Sequence, residues 1–336
     1  MRVALVGTEL AAVVPGAGAI ENLLCGWAEH LGRSHDVVIV SMPQRQPPED
    51  GLQRVWCALP AGLPAALRGI SPHVVVLQNR PGWHATVDAA CLHLFHNWPD
   101  AWGLAGDPPA LAGGTVAAVS APLADVVAAA LGRDRSEVAV VEPFVDALFG
   151  TTVARPEPRL VVAPNRLLRK KGIAELCAAA GRPALDRHRV LVTDHLSPWP
   201  APTAEHRELR AIVRRSRCEL IPAETDRLGV ADLYARAAAV VVPSVRPEGF
   251  GMVAAEAQTV GVPVASSGLG GLAESTLLPG LVADPTDPDA LAEAIASAAA
   301  SSVATRSLLK EKASARWSPA GSVASLLAAV ELSAGR

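Results

Sequence analysis

Two series of short apolar runs, separated by stretches with helical periodicity, constrain the fold of this chain most strongly. Runs that are apolar at every position are typical of strands buried on both faces of a parallel sheet. The runs lie at 3–6, 37–40, 74–77, 92–95, 115–119 and 138–141, then at 160–163, 189–193, 218–221, 239–242, 263–265 and 281–283. Helices are predicted mainly at 19–32, 121–131, 171–180, 204–214, 227–237, 251–260, 288–300, 304–315 and 318–333. This alternation predicts an α/β protein with two doubly wound, Rossmann-like sheets.

The 336 residues suit two domains of about 150 residues each. A proline-containing stretch at 151–159 separates the two series and predicts a linker. We therefore expect an N-terminal domain at 1–150, a second domain at 151–316 and a helical terminal segment at 317–336. Because open α/β sheets bind ligands beyond the carboxyl ends of their strands, the two domains are expected to share a cleft.

Charge and composition limit the classes of partner. Residues 1–150 contain eight arginines, no lysine and fourteen acidic residues, a net charge of −6, whereas the remainder carries +3. This balance disfavours nucleic acid and anionic lipid and suits a neutral or cationic small molecule. No charge-free apolar stretch reaches the roughly 18 residues of a membrane span, so stable membrane insertion is not expected. Five scattered cysteines without a CxxC pair predict reduced thiols in a cytoplasmic protein, with neither a disulfide framework nor a zinc site.

The stretch 243–275 joins a buried strand, a glycine-rich loop and a helix that begins near Gly251. The N–H groups in the first turn of such a helix form an anion site that suits phosphate. Glu248 and Glu256 flank this site, where a carboxylate would repel phosphate. We therefore interpret both as acceptors for hydroxyl groups, and the combination predicts a nucleotide-sugar as the ligand.

Arg166 and Lys171 follow the first strand of the second series. Together they can supply the fixed positive charge that a diphosphate leaving group needs, without a metal ion. A solvated basic loop would explain the same residues equally well. Asp287 and Asp289, the one Asp-x-Asp pair that could serve a metal-dependent transferase, precede a helix and are interpreted as its cap, so no metal site is predicted.

Gly16 and Gly18 follow the first strand and suggest a dinucleotide fingerprint. The third glycine of that fingerprint is replaced by Glu21, and no acidic residue ends the second strand, so NAD binding is not expected. A glycine-rich loop through which the backbone approaches a ligand remains the prediction.

His96 follows a strand of the first series and is expected at the cleft. Asn97 adjoins it, and Trp83, Trp98 and Trp102 gather nearby in the sequence. Tryptophan rings can stack on a sugar or cyclitol, although burial in the core is the more frequent role of any single one.

These motifs together resemble the retaining, GT-B-fold glycosyltransferases of family 4 (glycosyl transferases group 1), along nearly the whole chain. Residues 248–256 match the family's Glu-x7-Glu motif and 164–172 its donor-phosphate segment, while 16–21 and 95–97 are similar to its N-terminal glycine loop and its cleft histidine. The chain departs from the pattern at Asn165, which replaces a glycine, and at 143–144, where Pro-Phe replaces Asn-Gly.

The resemblance implies retaining, metal-independent transfer of a hexosyl or N-acetylhexosaminyl group from a nucleotide-sugar, by default a UDP-sugar, without a further cofactor. Arg166 and Lys171 would hold the diphosphate, Glu248 the hydroxyls of the transferred sugar, and Glu256 the ribose. His96 would contact the sugar near the reacting carbon. The implied donor contacts also include Gly16, Gly18, Gly249, Phe250, Gly251, Met252 and Val253.

The acceptor is expected to bind the first domain, through Trp83, His96, Asn97, Trp98 and Trp102. The acidic first half favours the hydroxyl of a small soluble molecule, for example an aminocyclitol in antibiotic biosynthesis. The alternatives are a lipid-linked or polysaccharide acceptor, or, from other functional classes, a nucleotide-sugar epimerase or a non-catalytic nucleotide-sugar-binding protein. The expected assembly is a monomer or a homodimer. The last helix is expected to pack back on the first domain, with Trp317 as its anchor.

Overall fold

The computed structural model describes residues 1–102, 111, 114–195, 202–224 and 226–335. They form two compact units. The first consists of Met1–Phe144 together with Pro319–Arg336, and the second of Val145–Ser318.

Twelve strands are assigned in the described part of the chain. They are β1 (Arg2–Val6), β2 (Asp36–Ser41), β3 (Arg54–Trp56), β4 (Val74–Gln78), β5 (Ala90–Phe95), β6 (Thr115–Ala118), β7 (Val138–Val140), β8 (Leu160–Ala163), β9 (Arg189–Asp194), β10 (Cys218–Pro222), β11 (Ala239–Val242) and β12 (Val264–Ser266).

The α-helices alternate with these strands. They are α1 (Ala19–Leu31), α2 (Leu63–Ile70), α3 (Ala121–Leu131), α4 (Ala147–Thr151), α5 (Ile173–Ala179), α6 (Ala204–Arg215), α7 (Arg227–Arg236), α8 (Met252–Val260), α9 (Leu272–Ser275), α10 (Pro288–Ala299), α11 (Val303–Arg316) and α12 (Pro319–Ala334).

Each unit contains one sheet. The first has the order β3-β2-β1-β4-β5-β6-β7 and the second the order β10-β9-β8-β11-β12. Every assigned pairing between these strands is parallel. The prediction of an α/β protein with two doubly wound sheets is therefore confirmed.

Strand burial follows the apolar runs. All residues of β4, β8 and β11 are buried, because helices cover both faces of a parallel sheet. Two helix caps are formed by side chains, and the second of them, at Asp287, confirms the sequence-based interpretation. The hydroxyl of Ser120 accepts the N–H of Leu123 at the start of α3, and the carboxylate of Asp287 accepts the N–H groups of Asp289 and Ala290 at the start of α10.

Some elements differ from the sequence-based prediction. The predicted strand at 281–283 is not formed: Pro279–Leu281 is a 3₁₀ turn, and Val282 makes only an isolated bridge to Ser266. Pro279, at the first position of this turn, fixes its own backbone in a conformation that suits the turn, which extends to Leu281. The expected domain boundary after residue 150 falls inside α4, a helix of the second unit whose Phe149 ring packs 5.9 Å from that of Tyr234.

The terminal helix α12 packs in the first unit against α1 and β5. The indole N–H of Trp27, on α1, donates to the hydroxyl of Ser322 (3.0 Å), which in turn donates to the carbonyl of Glu142 (2.6 Å). Trp317, expected as the anchor of this helix, lies two residues before it. It belongs to the second unit, where its ring meets Phe250.

Among the described residues, no helix combines the length and the hydrophobicity needed to cross a membrane.

Candidate functional site

In each sheet the strand order reverses once, and ligands of open parallel sheets bind beyond the carboxyl ends of the strands at that point. In the second unit the reversal lies between β8 and β11. The loops 164–172 and 243–251 follow these two neighbouring strands, so they begin side by side. They form the candidate site of the second unit.

An ion pair joins these two loops. The Nζ atom of Lys171 lies 2.7 Å from Oε1 of Glu248, and the hydroxyl of Ser244 donates to the same oxygen. The two charged side chains are 17% and 16% exposed. The backbone of Glu248 is also fixed, because its N–H donates to Leu269 (3.2 Å) and its carbonyl accepts from Gly271 (2.8 Å). The structure therefore places two predicted site residues in direct contact.

The close approach of the two loops depends on Gly172. This residue follows the 3₁₀ turn Arg169–Lys171, precedes α5 and has a φ of +69°. A Cβ atom here would lie 1.8 Å from the carbonyl oxygen of Pro243. Glycine is thus required both by the backbone conformation and by the neighbouring loop, and it brings Lys171 within reach of Glu248.

Asn165 and Arg166 lie in the same loop as Lys171. Asn165 is buried, and its side-chain N–H donates to the carbonyl of Val241 in β11 (3.2 Å). The asparagine that replaces the expected glycine therefore ties β8 to β11. Arg166 is half-buried, and its backbone forms a parallel bridge with His195 beyond β9.

Helix α8 presents its N-terminus to the same loops. It begins after Gly251, which has a φ of +112° and caps the helix with no side chain. The first-turn N–H groups of Met252 and Val253 have no intrahelical acceptor and lie at the positive end of the helix dipole. This arrangement is suited to a bound phosphate.

Phe250 contributes no ring surface to the site. Its ring is 4% exposed and packs edge-on against Trp317, with the centroids 6.2 Å apart. Its carbonyl accepts the hydroxyl of Ser275 (3.0 Å). Gly249 lies in the turn next to Gly271. A Cβ atom on Gly271 would lie 2.4 Å from the carbonyl oxygen of Gly249. These two residues shape the loop through the backbone.

Glu256 lies on α8 and is held by side chains that the sequence did not single out. The hydroxyl of Tyr234 donates to Oε2 (3.3 Å), and NH1 of Arg227 lies 3.6 Å from Oε1. Arg227 also pairs with Asp146 and stacks over the ring of Phe149. The available sequence signal was weak, because Arg227 and Tyr234 simply read as parts of an ordinary helix, α7.

The surroundings separate the two carboxyl groups chemically. Burial by itself would raise the pKa of Glu248, but the ammonium of Lys171 and the hydrogen bonds from Lys171 and Ser244 bring it below its usual value. Burial dominates at Glu256 and raises its pKa, although Arg227 and Tyr234 oppose the shift. Glu248 is thus a carboxylate paired with a cation, and Glu256 is the more easily protonated group.

In the first unit the strand order reverses between β1 and β4. His96, just beyond β5, belongs to a polar network at this edge of the sheet. Its Nε2 lies 2.7 Å from Oε1 of Gln78, which can only accept, so Nε2 carries the proton. The backbone N–H groups of His96 and Asn97 both donate to Oδ1 of Asn79 (2.7 and 3.2 Å).

The ring of His96 is 7% exposed and lies 6.1 Å from that of Trp27. Burial lowers the pKa of His96 to about 3. The imidazole is therefore neutral near pH 7, and we expect it to act as a hydrogen-bonding group that does not exchange protons in that range.

Arg80, which belongs to no motif of the sequence, connects three loops at this edge. Its Nε and NH2 atoms each lie 2.7 Å from a carboxylate oxygen of Glu9, beyond β1. Its NH1 donates to the carbonyls of Asn79 and Ala101 (3.0 Å each). The guanidinium fixes the loop that carries Gly16 and Gly18 to the loop after β4.

The three predicted tryptophans have different surroundings. Trp102 is 1% exposed, packs on Phe95 and donates its indole N–H to Asn97, so its ring belongs to the core and offers no stacking face. Trp83 is half-buried and packs at the edge of the core cluster beneath α2. Trp98 is also half-buried, and its indole N–H has no partner within the part of the chain that the structure describes.

Different structural features favour glycine at the two predicted loop positions, Gly16 and Gly18. Gly16 has a φ of +84°, and its N–H donates to the side chain of Asn22 (2.8 Å). Gly18 has an extended backbone, but a Cβ atom there would lie 2.4 Å from a carboxylate oxygen of Glu21. Gly18 thus makes room for Glu21, the residue that breaks the dinucleotide fingerprint.

The buried His96 leads to a prediction about pH. Its pKa is about 3 in the folded state and about 6.5 when unfolded, so the unfolded state binds the additional proton as the pH falls. Stability is therefore lost progressively below pH 6.5, by about 2 kcal/mol between pH 7 and pH 5 from this residue. The free energy of unfolding, measured with urea at several pH values, should fall less steeply with decreasing pH in His96→Asn than in the wild type.

The half-buried His35 provides the control. We expect His35→Asn to retain the pH dependence of the wild type. An equally steep loss of stability in His96→Asn and the wild type would show that His96 is protonated in the folded state.

Comparison with known proteins connects this geometry to a family. Residues 158–301 match the family model described as Glycosyl transferases group 1. A curated relative, the D-inositol 3-phosphate glycosyltransferase of Xylanimonas cellulosilytica, is 32% identical over 185 residues. That match covers 49% of this chain and 43% of the relative, so the chain spans less than half the length of this protein.

Solved structures match over the whole chain. AviGT4, a glycosyltransferase involved in avilamycin A biosynthesis, is 21% identical with a TM-score of 0.72, covering 100% of this chain and 98% of that one. Anabaena Alr3699/HepE in complex with UDP-glucose is 16% identical with a TM-score of 0.74, covering 98% and 99%. The fold is that of these proteins, so the predicted GT-B fold class is confirmed.

Proposed function

We propose that this chain is a retaining, metal-independent glycosyltransferase that moves a hexosyl or N-acetylhexosaminyl group from a nucleotide-sugar to a hydroxyl of a small soluble acceptor. The observation that carries the proposal is the Lys171–Glu248 ion pair beside the N-terminus of α8. It lies at the strand-order reversal of the second sheet, within the segment that matches the Glycosyl transferases group 1 model.

The site offers separate partners for the two halves of such a donor. Lys171, Arg166 and the first-turn N–H groups of α8 supply positive charge for a diphosphate. Glu248, whose pKa is low, accepts hydrogen bonds from sugar hydroxyls. On donor binding the ammonium of Lys171 exchanges part of its contact with Glu248 for the diphosphate, and the carboxylate turns to the sugar.

Glu256 suits the ribose of the donor. Its two oxygens are oriented by Tyr234 and Arg227, and a carboxylate fixed in this way can accept both ribose hydroxyls. Arg227 is itself positioned by Asp146 and by the ring of Phe149. UDP is the default nucleotide, and the relative of this fold solved with UDP-glucose supports that choice.

In the proposed reaction the acceptor oxygen attacks the anomeric carbon from the face that the diphosphate leaves. The bond between that carbon and the phosphate oxygen breaks, and the leaving oxygen takes the acceptor's proton. Arg166 and Lys171 stabilise the charge that develops on the diphosphate. Glu248 and Glu256 are not the nucleophile and acid of a retaining hydrolase, because Glu248 is already paired with Lys171.

We assign the acceptor to the first unit. His96 and Asn97, with Gln78 and Asn79 behind them, provide fixed polar groups, and the half-buried Trp83 and Trp98 provide ring surface. Trp102 supports this region from the core. The net charge of −6 on residues 1–150 favours a neutral or amine-bearing acceptor such as an aminocyclitol. The match to AviGT4, involved in avilamycin A biosynthesis, supports a natural-product acceptor.

The direct test begins with the donor. UDP-, dTDP-, GDP- and ADP-sugars are compared by thermal shift, because a ligand that binds only the folded state raises its stability. The best donor is then combined with aminocyclitols, inositols and lipid-linked acceptors, and the anomeric configuration of the product is determined by NMR. A glycoside of inverted configuration, or an epimerised donor without transfer, would overturn the proposal. Efficient transfer only to a lipid acceptor would overturn the assignment of a soluble one.

Metal independence is tested separately. Because arginine, lysine and backbone N–H groups supply the charge stabilisation, dialysis against EDTA is expected to leave the initial rate of transfer within about twofold of its original value. Circular dichroism recorded on the same samples monitors the fold. A rate that falls in folded protein and returns with Mg²⁺ or Mn²⁺ would contradict the mechanism.

A further inference from the structure

Three metal-ligating side chains meet in the first unit, and the proposed transfer reaction uses none of them. They are His84, in the 3₁₀ segment Pro81–Thr86, and Cys91 and His93, both on β5. The Nδ1 atom of His84 lies 3.0 Å from Nε2 of His93, and Sγ of Cys91 lies 3.4 Å from the same nitrogen. All three ligand atoms lie within 4.8 Å of one another.

These separations are close to those of a tetrahedral metal centre. With metal–nitrogen bonds of about 2.05 Å and a metal–sulfur bond of about 2.3 Å, two nitrogens lie about 3.3 Å apart and a nitrogen and a sulfur about 3.6 Å. The observed values of 3.0 and 3.4 Å differ by only a few tenths of an ångström. An ion could therefore be bound if the rings move slightly outward and the ligand atoms of His84 and Cys91, which lie within 4.8 Å of each other, adopt the nitrogen–sulfur separation of about 3.6 Å.

Strand geometry explains why the three groups converge. Cys91 and His93 are two residues apart on β5 and so project from the same face of the sheet. Cys91 packs in the core cluster that includes α2. Gly114 leaves room for the rings, since a Cβ atom there would lie 3.1 Å from Cδ2 of His93 and 3.5 Å from Cε1 of His84.

A buried histidine in such a core needs partners for its ring nitrogens. His93 is 1% exposed, and its Nδ1 has no hydrogen-bond partner in the described ranges. Its Nε2 is therefore the nitrogen through which the ring is satisfied, and this is the atom on which His84 and Cys91 converge. A cation at that point would provide a stronger partner than a neutral imidazole or a thiol.

We propose that His84, Cys91 and His93 form a binding site for a divalent ion of the zinc type, which links the segment Pro81–Thr86 to β5. Imidazole and thiolate donors suit Zn²⁺ and Co²⁺, whereas Mg²⁺ and Ca²⁺ prefer oxygen. Cys91 gives up its thiol proton to solvent as the ion binds. Three protein ligands leave the fourth position for water, which the half-buried His84 permits.

This site is separate from the bond-breaking step of the proposed transfer. Cys91 contacts the α2 side of the sheet, whereas the ring of His96 packs against Trp27 on α1. The ion would thus act on the position of the segment that carries Trp83 and would have no part in the bond-breaking step. The scattered cysteines in the sequence predicted no zinc site, because the fold alone brings Cys91 to the two histidines.

Cobalt is the probe for the test. Protein dialysed against EDTA under reducing conditions is titrated with Co²⁺, without donor or acceptor. We expect a thiolate-to-cobalt charge-transfer band and intense four-coordinate d–d bands that saturate at one ion per chain and disappear when Zn²⁺ is added. Cys91→Ser should lose the charge-transfer band, and His84→Ala should weaken binding at least about tenfold.

Two variants outside the cluster serve as controls. Cys57→Ser removes another thiol and His35→Ala a half-buried histidine outside the cluster, and both should retain the complete spectrum. Zn²⁺ should also raise the Tm of the wild type and leave that of Cys91→Ser unchanged. A folded wild type without the charge-transfer band would overturn the proposal, as would an unchanged band in Cys91→Ser. Neither readout involves transfer, so the metal site and the proposed function succeed or fail separately.

Discussion

Replacing Lys171 with alanine is expected to lower kcat/KM for glycosyl transfer about 10²- to 10³-fold, the usual cost of removing a fixed group that stabilises charge in a transition state. The ammonium lies 2.7 Å from Glu248 and is held between two loops, so it is a fixed positive charge beside the proposed diphosphate site. The substitution also leaves the largely buried Glu248 carboxylate without its cation. Initial rates at varied donor concentration measure the effect.

Lys170→Ala is the matched control, because it removes the same charge one residue earlier from an exposed side chain. Its backbone carbonyl accepts the N–H of Val245, and its charge acts on Glu248 only through space and more weakly than that of Lys171. The kcat/KM of Lys170→Ala should stay within about twofold of that of the wild type. Lys171→Arg keeps the positive charge on a side chain of different length and shape. Its kcat/KM should lie between those of Lys171→Ala and the wild type. If Lys171→Ala transferred sugar at the wild-type rate, the diphosphate contact would be wrongly assigned.

Gly172→Ala is expected to lower the free energy of unfolding of the second unit by about 2–5 kcal/mol. Left-handed backbone costs a residue with a Cβ about 1–2 kcal/mol, and overpacking adds about 1–3 kcal/mol. Both costs apply, because φ is +69° and the new Cβ would lie 1.8 Å from the carbonyl oxygen of Pro243. Urea unfolding followed by circular dichroism measures the loss.

Gly132 allows the two costs to be separated. It also has a positive φ, +62°, but, its neighbours along the chain apart, no atom of the described residues lies within 4 Å of its Cβ position. Gly132→Ala should therefore lose only the backbone contribution of about 1–2 kcal/mol. Equal losses in the two variants would show that the loop at Pro243 moves away without cost. Gly172→Ala should also reduce transfer, since the same displacement separates Lys171 from Glu248.

The periodicity of the sequence was sufficient for most of the fold, because buried parallel strands are apolar at every position. It was insufficient for β3 and α2. The three residues of β3 are half-buried at a sheet edge and include Arg54, so they lack the apolar signal. Helix α2 contains Pro64 and Gly69, two residues that normally argue against a helix, but Pro64 lies in its first turn, where proline is tolerated.

The residues proposed for the donor site could be recognised in the sequence because they directly follow apolar runs, but their contact depends on strand order. Residues that follow β8 and β11 must lie near each other once these strands are neighbours, so Lys171 and Glu248 meet. The partners of Glu256 could not be predicted, because Arg227 and Tyr234 reach it through the packing of α7 on α8. The same limitation applies to Arg80, whose contact with Glu9 spans 71 residues.

For the residues assigned to the acceptor, the property that could not be predicted is the burial of each side chain. A tryptophan in a loop is recognisable in the sequence, but its burial is not. Trp102 and Trp98 are four positions apart, and the first is fully buried against Phe95 whereas the second is half-buried. Local polarity gives no indication of which ring the core covers, since that depends on contacts made by the neighbouring strand.

The return of α12 to the first unit has a consequence for the order in which the protein folds during translation. All strands of the first sheet leave the ribosome early, but the helix that covers Trp27 and one side of β5 is synthesised after Ser318, the last residue of the second unit. The second unit can thus complete its core while the first still exposes an apolar face to solvent. We expect the nascent chain to be most prone to aggregation, and most dependent on chaperones, during this interval.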